Sequence, residues 1–266
     1  MISLKKRPIG IFDSGVGGLT VAGSVRRHLP GENIVYFGDT ARVPYGNKSK
    51  ETIVRFTREI TTFLLDKNVK MVVVACNTAS SFSIPTLKRT YAVPVTGVIE
   101  PGVREALRLS GSGRIGVIGT DSTISSGSYR SAMKRMSGKA RLFSVSCPLF
   151  VPLVENRWIE DPVTLEIASR YLRPLMDKNI DTLILGCTHY PILTKVIKKV
   201  MKGVKLVDSS FAVAKEVKGV LELSGLASPK SSGGSLECYV SDDPEGFRKT
   251  AGIFLKERPK VKKAVL

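Results

Sequence analysis

Two cysteines occupy matching contexts, Val74-Ala-Cys76-Asn-Thr-Ala-Ser80 and Leu185-Gly-Cys187-Thr-His-Tyr-Pro191, 111 residues apart. Each closes a short apolar run (Met71 to Ala75, Thr182 to Leu185) and is followed by hydrogen-bonding residues and then a helical pattern. A thiol at the end of a buried strand, with a helix N-terminus beyond it, sits where a thiolate is stabilised. The repetition predicts two thiols face to face across a cleft. Their chemistry is that of a base on one side of a carbon and an acid on the other.

Other polar groups gather around similar strand ends. The first apolar run ends in Asp13-Ser-Gly-Val-Gly-Gly-Leu-Thr20. Thr20 takes the place of the third glycine of a dinucleotide loop, so that fingerprint fails. Gly111-Ser-Gly-Arg-Ile-Gly116 matches the pattern but precedes a strand, where its mechanism cannot operate. What remains is a glycine loop with a carboxylate, Asp13, that is either part of a site or a helix cap. Gly38-Asp-Thr-Ala-Arg-Val-Pro-Tyr-Gly-Asn47 is a long polar loop, with Arg42, Tyr45 and Gly46 as candidates for ligand contact.

Asn77 and Thr78 follow one thiol, Thr188 and His189 the other. Their amides, hydroxyls and backbone N–H groups suit an α-carboxylate and an ammonium. His189 stands two residues from Cys187, which favours protonating or polarising that thiol over a merely structural role. Glu155, after the apolar stretch Pro148 to Val154, is either a partly desolvated carboxylate or a surface glutamate before a helix.

The elements that must hold these residues alternate. Apolar runs at Ile9–Phe12, Ile34–Phe37, Met71–Ala75, Val95–Val98, Ile115–Ile118, Leu142–Val145, Thr182–Leu185 and Lys205–Val207 predict strands. Helical stripes lie between them: Ile53, Phe56, Ile60 and Leu64 behind a Ser49 cap, and Val163, Ile167, Tyr171 and Leu175 further on. Short apolar strands separated by helices predict an α/β fold with parallel sheets covered on both faces.

The second half echoes the first. Ile9-Gly-Ile-Phe-Asp13 parallels Ile115-Gly-Val-Ile-Gly119 at an offset of 106, close to the 111 between the cysteines. Two similar α/β domains, each a mostly parallel sheet flanked by helices, then share a cleft at their strand ends. The expected division is 1–98 plus 209–266 for the first domain and 99–208 for the second. The stretch after Asp208 returns to complete the first domain, and Ser228–Ser235 reads as a surface loop.

Composition narrows the class. At 266 residues the chain can bury a large core, and 42% of it is apolar. No segment has the length of a signal peptide or a membrane span, so a cytoplasmic protein with no membrane partner is expected. Four cysteines and two histidines show no zinc-ligand spacing, so no metal is expected, and Cys147 and Cys238 read as packing residues. The net charge of +18 raises a nucleic-acid partner. The charge is spread over helical faces such as Lys195 to Lys199 and Arg104 to Arg108, with a further cluster at Lys256 to Lys263, and no nucleic-acid motif accompanies it. A solvated basic surface, with no nucleic-acid partner, is the reading.

Taken together, Ile11 to Val21, Gly38 to Gly46, Ala75 to Ser80, Gly97 to Gly102, Cys147 to Glu155 and Leu185 to Pro191 resemble the glutamate racemases of the cofactor-independent aspartate/glutamate racemase superfamily. The resemblance covers nearly the whole chain. It implies that Cys76 and Cys187 are the acid/base pair, with Asp13, Glu155 and His189 assisting them. It implies substrate contacts from Asp13, Ser14, Tyr45, Gly46, Asn77, Thr78, Thr188 and His189. It further implies that Cys187 faces L-glutamate, that no cofactor is used, that the chain is a homodimer and that its D-glutamate serves peptidoglycan. Aspartate racemase is the nearest rival; there an acidic residue usually follows the threonine, where this chain has His189. The chain starts only 12 residues before Asp13, without the extension associated with activation by a cell-wall nucleotide precursor, so that regulation is not expected.

Overall fold

The computed structural model describes residues 3–255 and 259–266. Its strands are β1 (Ile9–Asp13), β2 (Ile34–Gly38), β3 (Met71–Val74), β4 (Val95–Gly97), β5 (Arg114–Gly119), β6 (Arg141–Ser146), β7 (Thr182–Gly186), β8 (Lys205–Asp208), β9 (Leu236–Val240) and β10 (Val261–Lys263). The helices are α1 (Leu19–His28), α2 (Lys50–Asp66), α3 (Asn77–Thr90), α4 (Ile99–Leu109), α5 (Asp121–Ser125) and α6 (Ser128–Met136). They continue with α7 (Phe150–Glu155), α8 (Pro162–Met176), α9 (Thr194–Val200), α10 (Ser209–Leu223) and α11 (Pro244–Ala251).

Two sheets form, ordered β10-β9-β2-β1-β3-β4 and β6-β5-β7-β8, and the described strand pairs are parallel. Strands β1, β2, β3 and β7 are buried at every residue. That is why they read as continuous apolar runs rather than alternating ones.

The echo in the sequence is an echo in connectivity. The order β2-β1-β3-β4 is repeated as β6-β5-β7-β8, with β9 and β10 added beyond β2. In each sheet the chain order reverses about the central strand, β1 or β5, and ligands of open α/β sheets bind at such a reversal, beyond the strands' carboxyl ends. The residues leaving those strands are Asp13 and Cys76 in one sheet, Thr120 and Cys187 in the other.

One apolar core runs between the sheets. Ile11 and Val73 of the first meet Ile184 and Val207 of the second through Val103 and Ala106 of α4 and Val213 and Val217 of α10. Helix α2 buries Ile53, Phe56, Ile60 and Leu64, and the Ser49 side chain caps it by accepting from Thr52 N. In α8 the buried face is Thr164, Ala168, Leu172 and Leu175, while Val163 is 48% exposed. The expected stripe is thus turned by about one residue, because Pro162 starts the helix behind an Asp161 cap and sets its phase from there.

Strands β9 and β10 were not among the expected ones. Leu236–Val240 follows the exposed Ser/Gly-rich loop and pairs with β2 (Tyr36 against Cys238); β10 lies in what reads as a charged tail. Of that tail, Lys256, Glu257 and Arg258 lie outside the described residues. Lys262 and Lys263 pair with Glu237 and Asp242. Lys195, Lys198 and Lys199 are exposed, as a solvated basic face requires. Among the described residues no helix is long and apolar enough to cross a membrane.

Candidate active site

A cavity of about 420 Å³ opens where the carboxyl ends of the two sheets meet. The first sheet contributes Ser14, Cys76, Asn77, Thr78 and the Tyr45–Gly46 turn to its wall; the second contributes Cys187, Thr188, His189 and Glu155. Asp13 lies beneath, fully buried. A larger concavity of about 880 Å³ runs along α2 beside Val265 and Leu266, but its wall carries no thiol or histidine.

The two thiols have different neighbours. Cys76 caps α3, its sulfur accepting from Ala79 N at 3.5 Å. Burial pushes its thiol up to about 12, and the Asp13 carboxylate adds to this; Ala79 N–H and Ser14 pull the other way without prevailing. Cys76 is therefore a thiol at neutral pH.

No α-helix starts at Cys187. A 3-10 turn, Tyr190–Leu193, precedes α9, so the expected helix N-terminus is displaced and an imidazole stands in its place. His189 Nδ1 is 3.9 Å from Cys187 Sγ, and Nε2 is 3.0 Å from Glu155 Oε1. Burial opposes a charge on the ring, yet hydrogen bonds to Cys187 and Glu155, reinforced by their charges, raise its pKa to about 10. An imidazolium thus stands between the Cys187 sulfur and a carboxylate. Glu155 is the last residue of α7, not a residue before a helix, and it points to His189.

Asp13 is not a helix cap. Helix α1 begins at Leu19 with no side-chain cap, and Asp13 Oδ2 instead accepts from Gly15 N at 3.0 Å. Among the described residues its Oδ1 has no hydrogen-bond partner, although it is buried. Burial raises this carboxyl's pKa, and the charge at His189 and the Gly15 and Gly18 N–H groups hold it back. Tyr36 fixes the loop by donating to Gly15 O at 2.7 Å. The glycines serve close approach rather than phosphate binding. A β-carbon on Gly17 would lie 2.5 Å from the His189 ring, and one on Gly18 would lie 2.4 Å from Asp13 Cβ.

The polar loop divides its labour otherwise than expected. Tyr45 is 1% exposed and lines the cavity, but its hydroxyl donates to Asp39. Burial and the adjacent Asp39 raise that phenol's pKa. Gly46 also lines the wall, and its carbonyl accepts from Ser122 of α5, which follows β5 of the other sheet. Arg42 does not reach the cavity. Its Nε donates to Asp39 Oδ2 at 2.7 Å, Nη1 reaches Glu59, and the guanidinium lies 3.9 Å from the centre of the Phe56 ring.

Thr120 and Thr123 are among the residues missed. Thr78 Oγ1 is 3.0 Å from both Thr120 Oγ1 and Thr123 Oγ1, and these two are 2.9 Å apart. This triangle of hydroxyls joins the two sheets at the cavity wall. The repeat held the signal: the equivalence of β1 and β5 sets Thr120, which follows Gly119, opposite Ser14. Cys147 and Cys238 are buried and free outside the cavity wall, with burial raising both thiols, Cys238 to about 12. Among the described residues no group of three His, Cys, Asp or Glu side chains could hold a metal.

The Asp/Glu/Hydantoin racemase family model matches residues 20–217. The chain is 49% identical over 255 residues to a glutamate racemase of Aquifex aeolicus, covering 95% of this chain and 96% of the relative. The structure is similar to that of a glutamate racemase isoform of Bacillus anthracis (TM-score 0.95, 37% identity, 98% of each chain). It is also similar to that of the Francisella tularensis glutamate racemase in complex with D-glutamate (TM-score 0.91, 37% identity, 98% of each chain).

Proposed function

The chain belongs to the Asp/Glu/hydantoin racemase family, and from that premise we propose that it interconverts L- and D-glutamate by two-base catalysis with Cys76 and Cys187. It is an amino-acid racemase; the substrate and the roles of the two thiols are the further step. The observation that carries it is that both cysteines line one cavity from two equivalent strand ends, in unlike surroundings.

For L to D turnover, the Cys187 thiolate removes the α-proton and becomes a thiol, and the C–H electron pair passes to the α-carbon and its carboxylate. Cys76 gives its proton to the opposite face and becomes the thiolate. The reverse reaction exchanges the roles. His189 as imidazolium, backed by Glu155, supports the anionic form of Cys187, and the high pKa of the Cys76 thiol suits it to start as the acid. Asp13, next to Cys76, is the group that assists that thiol when it must lose its proton. Donors at Asn77, Thr78 and Thr188 meet the negative charge developing on the substrate carboxylate. Ser14, Gly46 and Tyr45 complete the walls as substrate contacts, with the Tyr45 hydroxyl donating to Asp39.

The same reading has D-glutamate supplied to peptidoglycan, the protein working in the cytoplasm as a homodimer, and domains of 1–98 plus 209–266 and 99–208. Family resemblance supports the first three, and the strand membership of the sheets supports the last.

The test is incubation of L-glutamate and L-aspartate with the protein in heavy water without added cofactor. Loss of optical rotation with α-deuterium uptake is expected for glutamate and not for aspartate. Inert glutamate would sink the proposal.

A further inference from the structure

We infer that Tyr129 is a positioning residue: its hydroxyl sets which end of the Asn77 amide faces the substrate. This rests on the glutamate racemase reading above and concerns how one of its donors is aimed.

Asn77 is the first residue of α3, directly after Cys76, and lines the cavity while being only 4% exposed. Tyr129 belongs to the first turn of α6 and is 3% exposed. Its hydroxyl donates to Asn77 Oδ1 at 2.7 Å, a bond across 52 positions of sequence that joins a helix of one sheet to a helix of the other. An amide carries its acceptor and donors on opposite sides of one carbon. With Oδ1 held by Tyr129, the NH2 group faces the cavity, and it has no hydrogen-bond partner among the described residues. A flipped amide would present its oxygen to the substrate's carboxylate, acceptor against anion. With the phenol donating to Oδ1, Asn77 turns its donors and not its acceptor to the ligand.

The phenol is itself well held. Burial raises its pKa, so it stays a proton donor across the working range. Its ring lies against Gly186, where a β-carbon would be 3.2 Å from Tyr129 Cε2 and 2.5 Å from Ile118 O. Gly186 precedes Cys187. One side chain thus packs beside the second thiol's strand end while orienting the donor beside the first.

Tyr129→Phe keeps the ring and removes the hydroxyl. We expect kcat/KM for glutamate to fall about ten- to a hundredfold, the range a lost buried hydrogen bond gives, with the thermal midpoint lower by a few degrees and the fold retained. In an Asn77→Ala background the same change should have no further effect. A loss of equal size in both backgrounds, or unchanged kinetics in Tyr129→Phe, overturns the inference. Asn77→Asp provides a check that leaves Tyr129 in place. Its cavity-facing oxygen should weaken D-glutamate binding more than Asn77→Ala does, and equal binding in the two variants overturns the inference. Wild-type protein that neither binds nor racemises glutamate overturns the underlying reading as well. Active wild type with an indifferent Tyr129→Phe sinks the inference alone.

Discussion

His189 Nε2 stands 3.0 Å from Glu155 Oε1 across 34 positions of sequence, and this contact distinguishes the two halves of the cavity. The carboxylate is 47% exposed and the imidazole only 7%. The pair therefore carries a buried cation up to the sulfur of Cys187, whereas the Cys76 side is occupied by the carboxyl of Asp13. Two strand ends equivalent in topology hold opposite charge patterns.

Replacing either thiol should end racemisation. Cys76→Ala and Cys187→Ala are each expected to lower turnover at least a thousandfold, since each removes one of two obligatory proton carriers. Both variants should keep the far-ultraviolet circular dichroism of the parent. Polarimetry on both enantiomers decides, and racemisation within about a thousandfold of the parent rate in either variant rules out a two-base mechanism.

His189→Asn should act unevenly on the two directions. The equilibrium constant of a racemisation is one, so kcat/KM must fall equally for L- and D-glutamate. Unevenness has to appear in kcat and KM separately, with the larger kcat loss, about tenfold or more, in the direction that begins at Cys187. Equal kcat losses would mark the histidine as structural.

The same histidine predicts a pH window for stability. Its pKa in the fold is about 10 against 6.5 unfolded. The stabilisation is therefore fully present below pH 6.5 and is lost as the pH climbs towards 10. Cys76, at about 12 in the fold against an ordinary 9.0, adds a separate loss that begins near pH 9. Thermal midpoints between pH 6.5 and 9 should fall more steeply for the parent than for His189→Asn. Parallel curves would show that the imidazolium contributes nothing to the fold.

Gly17→Ala should injure the site more than the fold. Its β-carbon would meet both the His189 ring and Thr188 Oγ1 at 2.5 Å, so these must move. We expect kcat/KM to drop at least tenfold, with circular dichroism unchanged. Normal kinetics would mean that the loop gives way and His189 stays.

Thr123→Val leaves Thr78 and Thr120 paired and removes the third hydroxyl. Urea unfolding should show a loss of about 1 kcal/mol, and KM for glutamate should rise severalfold. An unchanged KM would separate the hydroxyl triangle from substrate binding.

The sequence by itself determined much of the frame. Apolar runs of strand length ending at Asp13, Cys76 and Cys187 dictate strands with chemistry at their carboxyl ends. The spacing of the two halves dictates that these ends recur in equivalent places. Those features are local, because burial on both faces and helical periodicity are written in consecutive residues. The tertiary structure decided what the side chains at those ends do. It turned Arg42 away to Asp39 and Glu59, freed Asp13 from capping, drew β9 onto β2 and β10 onto β9, and brought Thr120 and Thr123 to Thr78. It also gave the two thiols unlike surroundings. Desolvation and hydrogen bonding act through space between residues 34, 45 or 52 positions apart, and no local pattern of residue types encodes such distances.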